Sequence, residues 1–388
     1  NLILFRNSAI ILTRKPIIFM WPFSRKIRRQ LGIDVGTSSI KIVELEKEDN
    51  SIKLANYGLI EDSDFFGEIT NGSSIPSGLK ISEGDVSALI KQLLEKAKMK
   101  ADTAIISIPV FSSFLTVMEL PNLNEKELES AIPFEARSYI PVPLAEVVLD
   151  WIILPHKEAS MALKPNEAVT GIVNRQEKIT VLLIAVPKEV VSKYQRIASG
   201  AGLKLTAIES ESFSLARSLA GNDLSSIMLI DMGARSSNLT ILHQGFIFMS
   251  HSADVTGKEI TKVISRSLNV DSKRAEELKR ISGVATSASD KGLAQVIGPF
   301  VDKLINEIER MEIIFNKKEN KKIDKIILTG GTANMPGIPE YLSKRLGVVV
   351  TVGNPLSKVK YEPALEQILR RDLSSNLSVS IGLAMRGL

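Results

Sequence analysis

Leu31-Gly-Ile-Asp-Val-Gly-Thr-Ser-Ser-Ile-Lys-Ile-Val43 reads as an apolar strand, an Asp-x-Gly turn, a run of hydroxyl residues and a second apolar strand. The same order returns at Leu229-Ile-Asp-Met-Gly-Ala-Arg-Ser-Ser-Asn-Leu-Thr-Ile241. The two aspartates, Asp34 and Asp231, stand 197 residues apart in a chain of 388. One Asp-x-Gly is an ordinary β-turn. Two copies at half-chain spacing predict two duplicated α/β halves facing one another.

The residue types suit a phosphate. Gly36 and Gly233 let backbone N–H groups approach an anion with no Cβ in the way. Thr37, Ser38 and Ser39 add hydroxyl donors to the first turn, Ser236 and Ser237 to the second, and Ala234 and Arg235 complete the second tip. Lys41 brings positive charge, although strand alternation from Ile40 equally allows it to face solvent. Asp34 and Asp231, each at a strand end, can hold Mg²⁺ mostly through water, because that ion keeps several waters and takes few carboxylates. A third element is Ile326-Ile-Leu-Thr-Gly-Gly-Thr-Ala-Asn-Met-Pro-Gly337. Its strand ends at Thr329, and Gly330, Gly331, Thr332 and Ala333 then bring backbone flat against a planar group.

Around these motifs β and α signals alternate, as in sheets covered by helices. Expected strands include 52–60, 103–109, 180–186, 323–328 and 348–352. Apolar spacing at Val86, Leu89, Ile90, Leu93, Leu94 and Ala97 predicts a helix over 84–98. Asn124 and Glu127 form a capping box for a helix to about Tyr139, and Pro141 and Pro143 then extend the chain. Further helices are expected at 188–201, 257–269, 272–281, 295–316, 338–346 and 378–385, and surface loops at 61–82 and 154–178.

The body is nearly neutral. Seven of the 49 basic residues lie in 1–30, which has no acidic one; the remaining 42 face 44 acidic residues. The net charge of +5 therefore belongs to the tail and indicates no nucleic-acid surface. No cysteine is present, which excludes thiolate metal sites and cysteine nucleophiles, and His156, His243 and His251 lack metal-ligand spacing. The tail, 1–30, is basic and apolar, but Arg6, Arg14 and Lys15 interrupt it before the ~20 apolar residues a membrane span needs. An overlong gene start ahead of Met20, a membrane-surface anchor and a targeting peptide are the three readings; the first is expected.

In their order, Asp34-x-Gly, Asp231-x-Gly and Gly330-Gly331 resemble the phosphate-1, phosphate-2 and adenosine motifs of the actin/Hsp70/sugar-kinase ATPase superfamily. Within it the chain is similar, over about 31–388, to the PilM family of type IV pilus assembly. The resemblance is carried by Leu31–Lys41, by Phe134-Glu-Ala-Arg-Ser-Tyr-Ile-Pro-Val-Pro-Leu-Ala-Glu-Val-Val-Leu-Asp-Trp151, by Ile230–Ser237, and by Leu328–Gly337 followed by Gly353-Asn-Pro355; the second of these is distinctive for the family. The resemblance implies an actin-like ATPase fold with an FtsA-like 1C subdomain, its two halves flanking a cleft for ATP and Mg²⁺. Domain 1A would comprise 31–109 and 188–225, and subdomain 1C 110–187. Domain 2A would comprise 226–256 and 321–388, and subdomain 2B 257–320. It also implies a cytoplasmic protein at the inner face of the cytoplasmic membrane, held there mainly through a partner. That partner is the N-terminal cytoplasmic tail of a single-span inner-membrane PilN-like protein. Pilus platform and motor proteins would lie nearby, and self-association is a further expectation. Ala234-Arg235 stand where many ATPases have glycines, so turnover would be slow at most.

The resemblance makes Glu211 the catalytic candidate near an attacking water, with Glu209 its rival; a helix N-terminus also favours a glutamate there without any chemistry. Glu259, Lys262, Glu276 and Lys279 would flank adenine and ribose, with Lys262 taken as a nucleotide contact, or else be solvated helix faces. Phe134, Tyr139, Val142, Leu144 and Trp151 are core packing or border a peptide groove. Two alternatives share the fold. An FtsA-like division protein would carry an amphipathic membrane helix at its end, which the stretch closing at Arg386-Gly-Leu388 does not provide. A small-molecule kinase would need a catalytic aspartate in a sugar pocket, for which the sequence offers no candidate.

Overall fold

The computed structural model describes residues 10–11, 28–49, 51–61, 82–154, 178–285, 291–369 and 373–388. The expected loops at 61–82 and 154–178, and most of the tail, lie outside them. A first sheet of six strands has the order β1-β9-β5-β2-β3-β4. These are β1 (Ile10–Ile11), β2 (Arg28–Val35), β3 (Ser39–Glu48), β4 (Ser51–Glu61), β5 (Thr103–Ile108) and β9 (Lys204–Ser210). Its central strand β2 is buried from Gln30 to Asp34, which explains its unbroken apolar reading. Helices α1 (Glu83–Lys96) and α3 (Lys188–Gly200) cover one face through Val86, Leu89, Ile90, Tyr194 and Ile197.

A second sheet of five strands runs β12-β11-β10-β13-β14. It comprises β10 (Ile227–Met232), β11 (Ser237–His243), β12 (Phe246–Ala253), β13 (Lys325–Thr329) and β14 (Val349–Val352). Helices α5 (Gly257–Leu268), α6 (Ser272–Ile281), α7 (Lys291–Glu319) and α8 (Ile338–Leu346) bury one side of it. Between the sheets lies α4 (Glu211–Leu215), whose Phe213 and Leu215 share an apolar cluster with Ile227, Leu229 and Leu242 of the second sheet.

A third sheet, order β6-β8-β7, is inserted in the first half. Its strands are β6 (Phe114–Pro121), β7 (Val147–Leu154) and β8 (Lys178–Pro187), backed by α2 (Glu125–Ala136) over a core of its own. The Asn124–Glu127 capping box is present.

The last helix, α9 (Ser378–Arg386), departs from the expected division. By sequence it falls in the second half, yet it packs on β2, β3 and α4 of the first. The crossing is backbone-tight. A Cβ on Gly32 would lie 1.9 Å from the Ser380 carbonyl oxygen, and one on Gly382 would lie 2.0 Å from that of Ser214. Only glycine permits such approach. Glu209 locks the same corner by accepting from both terminal nitrogens of Arg217 at 2.9 Å and from Arg386.

Candidate functional site

The two Asp-x-Gly turns fold alike. Gly36 N–H donates to the Ser39 carbonyl at 2.9 Å, and Gly233 N–H donates to the Ser236 carbonyl at 3.0 Å. Asp34 pairs in register with Lys41, and Asp231 with Asn238. The glycines therefore serve the hairpin itself: a Cβ on Gly36 would meet Ser39 O at 3.1 Å, and one on Gly233 would meet Ser236 O at 2.7 Å. Because the glycine amides close the turns, the amides of Thr37, Ser38, Ala234 and Arg235 are the ones at the tips.

Behind the tips sits a cluster of charge. Asp34, 4% exposed, accepts from Ser107 Oγ at 2.8 Å and from Lys41 Nζ at 3.0 Å. Lys41 thus faces the cleft. Burial works against its charge, yet Asp34, with Asp231 and Glu211 behind, holds its pKa above the ordinary value. Burial raises the Asp231 carboxyl to about 6, with Lys41 opposing and Asp34 adding to the rise. Glu211 is 8% exposed at the start of α4. Burial first, then the charges of Asp34 and Asp231, push its pKa well up. These are carboxylates of both halves, close enough to feel one another. The rival, Glu209, is committed to Arg217 and Arg386 and is therefore structural.

The third loop closes on the second turn. Gly330, at φ 85°, takes a conformation glycine accepts, and a Cβ there would lie 2.4 Å from Asp231 Oδ1. Thr332 and Ala333 are buried, whereas Gly331 is exposed beside Asn376. At the N-terminus of α5, Gly257 N–H donates to Gly233 O and Lys258 N–H to Ala234 O, both at 3.0 Å. From α6, Lys279 Nζ donates to Gly257 O at 3.2 Å, Thr261 Oγ1 at 3.0 Å and Glu276 Oε2 at 2.6 Å. Burial lowers the Lys279 pKa despite Glu276.

Most of the expected residues converge on this cleft. Lys262 does not: it is exposed, and its neighbour Thr261 turns inward instead, one helical step of about 100° away. Glu259 is likewise exposed. Sequence reasoning missed Ser107, Asn238 and Thr261. Asn238 could have been found, because it occupies the position in the second hairpin that Lys41 holds in the first.

The donor set fits Mg²⁺: hard carboxylate oxygens from both halves, beside the two glycine turns. Among the described residues no three His, Asp or Glu side chains can hold a metal between them. An Mg²⁺ ion here would complete its shell with water and phosphate oxygens.

In the insert, Phe134 of α2 is 68% and Tyr139 after it 46% exposed, while Val142, Leu144 and Trp151 pack against the insert's core. Among the described residues no helix is long and apolar enough to cross a membrane.

The family model described as type IV pilus assembly protein PilM matches residues 32–388. A solved PilM–PilN type IV pilus biogenesis complex is similar over 92% of this chain and 98% of that one, with 25% identity and a TM-score of 0.74. The cell division protein FtsA of Enterococcus hirae is 25% identical over 392 residues, covering 91% of this chain and 85% of its own length. The ethanolamine utilization protein EutJ of Carboxydothermus hydrogenoformans shares the fold at 15% identity, covering 92% of this chain and 89% of that one with a TM-score of 0.52. The architecture is thus the actin-like ATPase fold, and the chain belongs to the PilM family of type IV pilus assembly proteins.

Proposed function

We propose that this protein binds ATP with Mg²⁺ between its halves, and that the bound nucleotide sets its affinity for a peptide. The observation that carries the reading is the pair of matched hairpins, whose aspartates lie in one buried charge cluster with Glu211 and Lys41. Thr37, Ser38, Ala234, Arg235 and Ser236 would hold phosphate oxygens, with Ser39 and Lys41 behind the first tip and Gly233 shaping the second. Gly330, Gly331, Thr332 and Ala333 would lie against the base, with Glu276 and Lys279 near the sugar. Asp34 and Asp231 would hold Mg²⁺, mostly through water, and the ion would supply positive charge beside the phosphates. Glu211 would accept a hydrogen bond from a water near the last phosphate.

The domain limits expected from the sequence serve as the working division, with α9 assigned to 1A on its packing. The peptide would be the N-terminal cytoplasmic tail of an inner-membrane PilN-like protein. Two observations support it: the similar PilM–PilN complex, and the exposed Phe134 and Tyr139 on the insert, which leave apolar surface for a partner. Held by that tail at the inner face of the membrane, the protein would link the platform to the motor. The FtsA relatives favour a second reading, a division protein of the same fold.

The test is a titration of a fluorescent N-terminal peptide of the partner with and without ATP·Mg²⁺. The expected difference in affinity is about 5–150-fold, the usual range of such couplings. Equal binding in both states discards the nucleotide coupling; absence of binding in both discards the peptide role.

A further inference from the structure

The two hairpins differ at the position that pairs with the aspartate. Lys41 binds the aspartate of its own turn. Asn238, in the same register, leaves its own turn and crosses to the other half. Its Nδ2 donates to Glu211 Oε2 at 2.8 Å, and its Oδ1 accepts from Ser252 Oγ at 2.6 Å. The Glu211 carboxylate fixes which way the amide faces, because an amide turned over would aim its oxygen at it, and the Ser252 hydroxyl supplies the matching donor to Oδ1.

The backbone N–H of Val110 also donates to Glu211. Val110 opens the short turn Val110–Ser112 that leads into β6, and β12, which carries Ser252, packs against both that turn and β6. Glu211 is therefore tied at once to the second half and to the root of the inserted sheet. Beside these bonds, the hydroxyls of Ser212, Thr240 and Ser250 contact one another pairwise at 2.9 Å across the same seam. Hydroxyls rotate to suit a new partner, so this part of the seam can shift without losing its hydrogen bonds.

We infer that Asn238, held by Ser252, is a positioning residue that sets Glu211 from the opposite half and so carries closure of the cleft to Val110 and the insert. The inference rests on reading the cleft as a nucleotide site and adds the route by which that site reaches the insert. A carboxylate held by one neutral donor from the other half must turn when that half moves, and its bond to Val110 turns with it. Truncating Asn238 leaves Glu211 its bond from the Val110 N–H.

Hydrogen–deuterium exchange of the full chain, with and without ATP·Mg²⁺, tests this alongside the affinity for a fluorescent ATP analogue. In the wild type, nucleotide slows exchange over 110–121 by about tenfold, while Asn238→Ala keeps its ATP affinity within about threefold and loses most of that slowing. Ser252→Ala binds ATP equally and shows a reduced slowing. A full response in Asn238→Ala overturns the inference, as does wild-type ATP binding with no change over 110–121. Should Asn238→Ala fail to fold in a thermal melt, Ser252→Ala decides, and an undiminished response there overturns it. A wild type that binds no ATP defeats the nucleotide reading itself, and the affinity measurement alone reveals that.

Discussion

The two Asp-x-Gly hairpins share a backbone and differ in charge. In the first, Asp34 is bonded to Ser107 and ion-paired with Lys41. In the second, the Asp231 carboxyl is raised to about 6 by burial, and the residue opposite it is an amide that reaches Glu211 instead. The repeat thus keeps the turn and lets the opposing side chain diverge. One half brings its own cation. The other half brings a carboxylate whose charge burial penalises, together with a contact that depends on where the first half stands.

The largest effect that separates the hairpins is on stability. Asp34→Ala strips Lys41 of its partner and should cost about 3 kcal/mol, as when a partly buried pair loses one member. Asp231→Ala should be neutral or stabilising. Urea denaturation of both variants without metal checks the contrast, and equal losses would erase it.

A smaller effect follows from the raised pKa of Asp231. A carboxyl raised in the folded state adds stability below its ordinary value of about 3.9, and that stability is lost as pH rises through about 6. Asp231→Asn in chelator should therefore be the more stable protein at pH 8, by about 1–2 kcal/mol, with the gain closing toward pH 4. A constant difference across that range would show that Asp231 is not penalised by burial.

The glycines sharpen the comparison further. A Cβ on Gly233 meets carbonyl oxygen at 2.7 Å, against 3.1 Å on Gly36. Gly233→Ala should weaken ATP binding about tenfold and Gly36→Ala less, following an overpacking cost of about 1–3 kcal/mol at the tighter site. The reverse order would show that the two turns are not built alike. Smallest of all, exposed Lys262→Ala should leave ATP affinity unchanged, whereas buried Lys279→Ala lowers it; a loss in Lys262→Ala would restore the role the sequence suggested.

Much of this was legible in the sequence, for physical reasons. The hairpins announce themselves because Asp-x-Gly between apolar strands is a local pattern, and the repeat raises its weight. The capping box at Asn124 is local too. Strand β12 was missed because Ser250 and Ser252 face the polar seam and break its apolar reading, although Gln244 and Gly245, both at positive φ, mark a tight hairpin turn before it. Strands β6, β7 and β9 also went unread. The place of α9 was hidden because long-range packing, through Gly32 and Gly382, decides it. Lys262 is exposed, the solvated-face alternative of the sequence reading, and Thr261 one helical step away turns inward. Asn238 was passed over because its partner lies in the other half, a relation no spacing along the chain expresses.

Isothermal titration calorimetry of ATP into wild type and Asp231→Ala, each with and without Mg²⁺, measures the shared cleft most directly. The wild type should bind ATP, and Mg²⁺ should tighten the binding. In Asp231→Ala, still folded, the Mg²⁺-dependent gain should be lost. Equal ATP affinity in both proteins, with or without Mg²⁺, would contradict the claim that the two hairpins hold one nucleotide between them.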